Sequence, residues 1–145
     1  MRTHVSFERP SETLSTGKPP FGGDIARALA KALEASGFGV TESGELDYAF
    51  AFDCRVTNRR FYVMVGLVDD GIRQWLISTD STVGFIGRLF GVNDQEEHTT
   101  LVTAVHGFLQ SDPEVKSIRW YSQDDWNRKP DQSWAESPTE LQCRT

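Results

Sequence analysis

Side chains able to do chemistry are few and scattered in this chain of 145 residues, whose three histidines are His4, His98 and His106. On a helix, His98 and His106 stand about 80° apart in projection and roughly two turns along, from the 3.6-residue repeat. A shared metal prefers neighbouring i and i+4 positions, and neither His-Glu-x-x-His nor Cys-x-x-Cys occurs, so the spacing builds no zinc site. His98 is expected beside a core stripe near a helix start, and His106 at its polar margin. No Gly-x-Ser-x-Gly elbow presents a serine nucleophile. The carboxylate pairs Asp69-Asp70, Glu96-Glu97 and Asp124-Asp125 are neighbours in sequence at a turn, a helix start and a tail, without acid/base geometry. Gly17-Lys18 lacks the rest of a phosphate loop and is followed by Pro19-Pro20. No catalytic residue, metal ligand or cofactor is expected.

One loop has a more specific chemistry. Ser78 to Thr82 form a hydroxyl-rich strand-to-helix connection near Arg88. Thr79, Ser81, Thr82 and Arg88 could hold an anion at a helix start. The plainer account is that turn and cap residues solvate a chain reversal.

Charge and cysteine usage narrow the function classes. Lysine and arginine number 15 against 21 aspartates and glutamates, a net charge of −6. A nucleic-acid binder shows a basic domain or stripe, and Arg55, Arg59, Arg60 and Arg73 are divided between opposite ends of a sheet. The acidic balance suits a basic partner. Cys54 alternates in phase with Phe50 and Phe52 and reads as a small core group, whereas Cys143 lies in the tail, so no bridge is expected. Reduced cysteines point to the cytoplasm. Met1–Pro10 has no signal-peptide apolar stretch, and no apolar run approaches membrane-spanning length.

The elements that would position these residues form a single α+β domain over 1–121 with an N-terminal strand and loop (1–23), followed by a polar tail, 122–145. Val5 and Phe7 mark a short edge strand ended by Pro10. Asp24 caps a helix through Ser36, with Ile25, Leu29 and Leu33 on one face and Gly37 as its stop. A strand from Phe38 to about Glu42 turns at Ser43-Gly44. Three strands then alternate with period two over Tyr48–Val56, Phe61–Val68 and Ile72–Thr79. Val83, Ile86, Leu89 and Phe90 fit a short amphipathic helix ended by Gly91. Asp94 and Glu97 resemble a capping box for a helix to about Gln110, and Val115–Tyr121 forms the last strand. The result is an antiparallel meander of four or more strands with two main helices packed on one face. Trp126 and Trp134 suggest that part of the tail docks on the domain.

Two-residue turns at Asn58-Arg59 and Asp70-Gly71 would pair Val56 with Phe61 and Leu67 with Gln74. One face then collects Phe50, Phe52, Cys54, Phe61, Val63, Val65 and Leu76 as core. The other collects Ala51, Arg55, Tyr62, Met64, Gly66, Arg73, Trp75 and Ile77, with Ala51, Gly66 and Trp75 in one row. That second face is less polar than an open face should be. Its occupant is the chain's own tail, a protein partner or second copy, or a small molecule.

The order helix, Gly-Phe-Gly-Val strand, meander, helix and a strand ending Ile118-Arg-Trp-Tyr121 resembles that of small acidic bacterial immunity proteins, over about Asp24 to Tyr121. That resemblance implies a non-enzymatic cytoplasmic protein that inhibits a toxin by binding it. The layout also resembles type III secretion chaperones, which implies a dimer. Neither resemblance assigns a site residue.

Overall fold

The computed structural model describes residues 1–11, 21–45, 49–69, 71–128 and 133–139, with backbone alone for 42–45 and Phe85. The chain is α+β. Its strands are β1 (His4–Glu8), β2 (Gly39–Glu45), β3 (Ala49–Val56), β4 (Arg59–Asp69), β5 (Gln74–Ser81) and β6 (Lys116–Tyr121). Its helices are α1 (Gly23–Ala35), α2 (Phe85–Leu89), α3 (Gln95–Ser111) and α4 (Gln123–Arg128). The strands form one antiparallel sheet in the order β2-β3-β4-β5-β1-β6. Among the described residues, no helix is long and apolar enough to cross a membrane.

The expected meander is present as β2 to β5, but β1 is not at an edge. It lies between β5 and β6 and pairs with both. Val5 and Phe7 are accordingly fully buried, as is Ser6 between them. Arg9, just beyond the strand, is joined to Asp112 at the end of α3 by a 2.7 Å ion pair.

Both expected hairpin turns shift, with different consequences. The first turn is Thr57-Asn58, with Thr57 at φ 58°, so Val56 faces Arg59 and Cys54 faces Phe61. That shift is two residues in pairing sum, and the faces of β3 and β4 are kept. The second connection is longer. Asp69 pairs with Gln74, Leu67 with Trp75, and Val68 is the extra residue of a bulge. This moves the register by one residue and turns β5 over. Trp75 and Ile77 therefore point to the face of Phe61, Val63 and Val65, while Leu76 and Ser78 go to the other. The Ala51, Gly66, Trp75 row does not form: Ala51 faces Met64, and Gly66 faces Leu76. The Ser43-Gly44 turn is replaced by a register irregularity within β2, between Glu42 and Gly44.

One buried cluster unites this face with the helices. It contains Ile25, Leu29 and Leu33 of α1, Leu101, Val102, Val105 and Leu109 of α3, and Val5, Phe7, Phe52, Cys54, Phe61, Val63, Val65, Trp75, Ile77 and Trp120 of the strands. Each large side chain buried there contributes roughly 1.5–3 kcal/mol. Burial pushes the Cys54 thiol up to about 11, as expected for an inert core cysteine.

Helix α1 is fixed at both ends by glycine. At its C-terminus Phe38 N–H donates to Leu33 O and Gly37 N–H to Glu34 O, each at 3.0 Å, with Gly37 at φ 98°. This is the paired bonding that closes a helix on a left-handed glycine. At its N-terminus the cap is Gly22, not Asp24, whose carboxylate instead accepts the Ser11 hydroxyl at 2.8 Å. Gly22 has φ 94°, and a Cβ there would lie 2.7 Å from the Trp75 ring. Gly22→Ala is therefore expected to lower unfolding free energy by roughly 2 kcal/mol or more, combining a left-handed backbone penalty with overpacking. Urea titration of the two proteins measures it, and equal midpoints with equal slopes would contradict this account.

Candidate functional site

The site with the most chemistry lies where β5 leaves the sheet. The chain crosses through Thr82–Gly84 into α2 and returns through Gly91–Asn93 to α3. The cleft between these segments has a volume of about 770 Å³ and is lined by Thr79, Asp80, Ser81, Arg88, Asp94 and His98, among others. Three of these residues are nearly closed off: Thr79 of β5 is 1% exposed, and Asp94 and His98, at the start of α3, are each 7% exposed.

Their hydrogen bonds define what the cleft can do. His98 Nε2 is 2.8 Å from the Thr79 hydroxyl, and its ring packs on Phe61 with centroids 4.8 Å apart. His98 therefore flanks the core stripe, as its position at a helix start implied. Burial lowers its pKa, opposed by the Asp94 and Asp80 carboxylates and a backbone bond to Thr79. Asp94 stands at the start of α3 but makes no side-chain cap bond. Its carboxylate accepts the Ser81 hydroxyl instead, and Ser81 Oγ in turn accepts Val83 N–H at 3.0 Å. Asn93 takes over part of the capping, accepting Gln95 N–H at 2.8 Å. Ser81 is thus directed at Asp94 and not at His98, so the cleft holds no serine–histidine relay.

Three of the four anion candidates, Thr79, Ser81 and Arg88, line this cleft. Thr82 does not: its hydroxyl donates to the Arg60 carbonyl at 2.8 Å. Asp80 and Asp94 line the same space. Between described residues the only ion pairs join Arg9 to Asp112 and Glu114, so neither carboxylate is neutralised by Arg88. Asp80 and Asp94 thus offset Arg88 and the Met1 ammonium, which also lines the cleft, so no net positive charge remains there to draw an anion. Among the described residues no group of three histidine, cysteine or acidic side chains converges as a metal needs.

The helix beside the cleft departs from expectation. Ile86, Leu89 and Phe90, expected as the apolar side of a short amphipathic helix, are 67%, 66% and 81% exposed. The physical reason is length. With five residues closed by Gly91 at φ 84°, α2 has too few turns to lay a stripe on the sheet. Its C-terminus is nevertheless well bonded, with Val92 N–H donating to Gly87 O at 3.0 Å and Gly91 N–H to Arg88 O at 3.1 Å. The outcome is an ordered apolar knuckle on the rim of the cleft. The glycines at 84 and 91, which bracket the run, were the sequence signal for it.

The eight interface candidates are divided. Ala51, Arg55, Tyr62, Met64 and Gly66 share one sheet face, with Ala51 buried, Arg55 exposed and the others half-buried. Arg73 is exposed in the β4–β5 connection at φ 54°. Trp75 and Ile77 are fully buried on the opposite face, because the bulge reverses β5.

The C-terminal segment lies at the β6 end of the sheet. Ala135 and Trp120 exchange two backbone hydrogen bonds of 2.8 and 2.9 Å. Trp126 packs edge-on against Tyr121 at 5.1 Å, and the Arg119 guanidinium sits 4.7 Å from the Trp134 ring centre. Arg119 and Tyr121 alternate with Trp120, so the two tryptophans contact residues of the non-core face. Beside them, His4 is 7% exposed, and the Ser6 and Ser78 hydroxyls are buried without a hydrogen-bond partner among the described residues. Residues 140–145, including Cys143, and Tyr48 and Asp70 lie outside the described residues.

The chain matches no family model, and comparison with curated proteins and solved structures gives no match.

Proposed function

We propose that the chain is a non-enzymatic protein-binding module, of the immunity or inhibitor type, that docks on a basic protein through the α2 knuckle and the adjoining cleft. The observation that carries this is the exposure of Ile86 and Leu89 of α2 and its C-cap Phe90, at 67%, 66% and 81%. Large apolar groups grouped in this way mark contact sites. The charge supports a partner of opposite sign, since the chain carries −6 and the cleft holds Asp80 and Asp94 without ion pairs to described residues. Like-charged copies of the chain repel one another, which disfavours self-association through the same rim. This reading takes both long helices to lie on the Phe61, Val63 and Val65 face, leaving α2 to protrude, and places the protein in the cytoplasm with Cys54 reduced.

The test is affinity capture from the native host with wild-type chain, a Leu89→Ser/Phe90→Ser variant and a Tyr62→Ala/Met64→Ala variant. A stoichiometric basic protein retained by wild type and by the sheet-face variant, but lost by the knuckle variant at unchanged thermal stability, is the expected result. Loss only in the sheet-face variant, capture of nothing, or a concentration-dependent dimer in light scattering would replace this assignment.

A second reading, a polar small-ligand site, is favoured by the way Thr79, Ser81 and Arg88 line one cleft. Thermal shift against amines, guanidinium compounds, nucleotides and phosphate separates the two. A cation-selective rise abolished by Asp94→Asn would support it.

A further inference from the structure

The geometry points to a second binding site, between α1 and strands β2 and β3, for an amphipathic carboxylate. It is independent of the knuckle and shares no residue with it. α1 directs its large apolar residues, Ile25, Leu29 and Leu33, into the core. The flanking positions hold only Ala26 and Ala30. Two methyl groups do not reach the edge of the sheet, and a groove of about 660 Å³ remains over Val40, Phe50 and Phe52. That volume lies within the range of about 300–1,000 Å³ usual for small-molecule sites. Ala30, Val40 and Phe50 pack on the core but stay half-buried, so the floor is apolar and accessible.

The rim decides the ligand. Arg27 and Lys31, four residues apart on α1 and therefore on one side of it, both line the groove and are exposed. Neither forms an ion pair with a described acidic residue, Glu34 at the far end of the groove included. On a chain of net charge −6, two cations that pair with no described acidic residue, beside an apolar floor, complement one ligand chemistry. An alkyl chain lies over Phe50 and Val40, and a single carboxylate meets the guanidinium and ammonium groups. Long cationic side chains also lend their stems to apolar contact.

The experiment titrates the full chain with dodecanoate, dodecanol and dodecyltrimethylammonium, each below its micelle concentration, and follows backbone amide NMR shifts. Dodecanoate should shift the amides of residues 26–31 and 50–52 saturably and bind about tenfold more tightly than the ammonium, the scale of two exposed charge contacts. Arg27→Glu with Lys31→Glu should erase that preference, and both positions are solvent-exposed, so the fold tolerates the change. Ala30→Trp should fill the groove and remove binding of all three amphiphiles. Absence of saturable shifts at the groove, equal affinity for carboxylate and ammonium, or a preference that survives the charge reversal would overturn the proposal.

Discussion

Trp75→Ala will lower the unfolding free energy by about 3–5 kcal/mol, the cost of truncating a fully buried aromatic. Against a total of about 5–15 kcal/mol for a domain, this is enough to leave much of the protein unfolded near physiological temperature. The indole is fully buried, lies under Gly22, and donates its N–H to the Arg9 carbonyl at 2.8 Å. Truncation therefore removes core volume and leaves that carbonyl without its indole donor. Urea unfolding followed by far-UV circular dichroism measures the loss. Were Trp75 instead an interface residue, the variant would keep wild-type stability and lose only a partner, so a shift below about 1 kcal/mol would restore the register in which Trp75 faces outward.

The protein will lose stability on mild acidification, between about pH 6.5 and the depressed pKa values of its histidines. Burial lowers the pKa of His4, His98 and His106 below the ordinary 6.5. Asp80 opposes this at His4, and Asp94 and Asp80 oppose it at His98. In that window the unfolded chain binds more protons than the folded chain, so unfolding is favoured as pH falls. The stability is fully present above the unfolded value and declines through the window. Each such histidine contributes a slope of up to about 1.4 kcal/mol per pH unit. His106 adds to the effect because its Nδ1 accepts the Trp120 indole N–H at 3.0 Å, a role that protonation at Nδ1 removes. The Arg9–Asp112 pair acts in a separate, lower window. Burial raises the Asp112 pKa, but the hydrogen bonds and charge of Arg9 and the Glu114 amide outweigh it and bring it below 3.8. Urea midpoints at pH 7.5, 6.5 and 5.5 give the linkage; a flat profile over this interval would contradict the burial of neutral imidazoles.

Much of the architecture was legible because it is written in local periodicity. The β3 and β4 alternation, the Ile25-Leu29-Leu33 stripe with Gly37 behind it, and the α3 stripe each reflect a repeat that the backbone imposes on any buried face. The orientation of β5 was not legible. Asp-Gly is a strong two-residue turn signal, but the chain uses a longer connection and a bulge at Val68. One residue of shift exchanges Trp75 and Ile77 for Leu76 and Ser78, and either choice leaves a plausible alternating strand. The place of β1 was equally hidden, since pairing along a strand's second side depends on residues about 70 and 115 positions away.

The candidate site follows the same division. Thr79, Ser81, Arg88 and Asp94 could be singled out by residue type, and His98 by its place at a helix start. Sequence by itself determined these local facts: the acidic charge, the absence of a nucleophile or metal motif, a core cysteine, and helices and strands of the right period. Only tertiary structure decided that Ser81 spends its hydroxyl on Asp94, that Thr82 turns away, and that Ile86, Leu89 and Phe90 stand in solvent. The physical reason is that hydrophobicity states what a residue would gain by burial, whereas burial itself requires a surface within reach. A five-residue helix held between two glycines on the rim of a cleft has none, and that is what makes its exposed face available to another molecule.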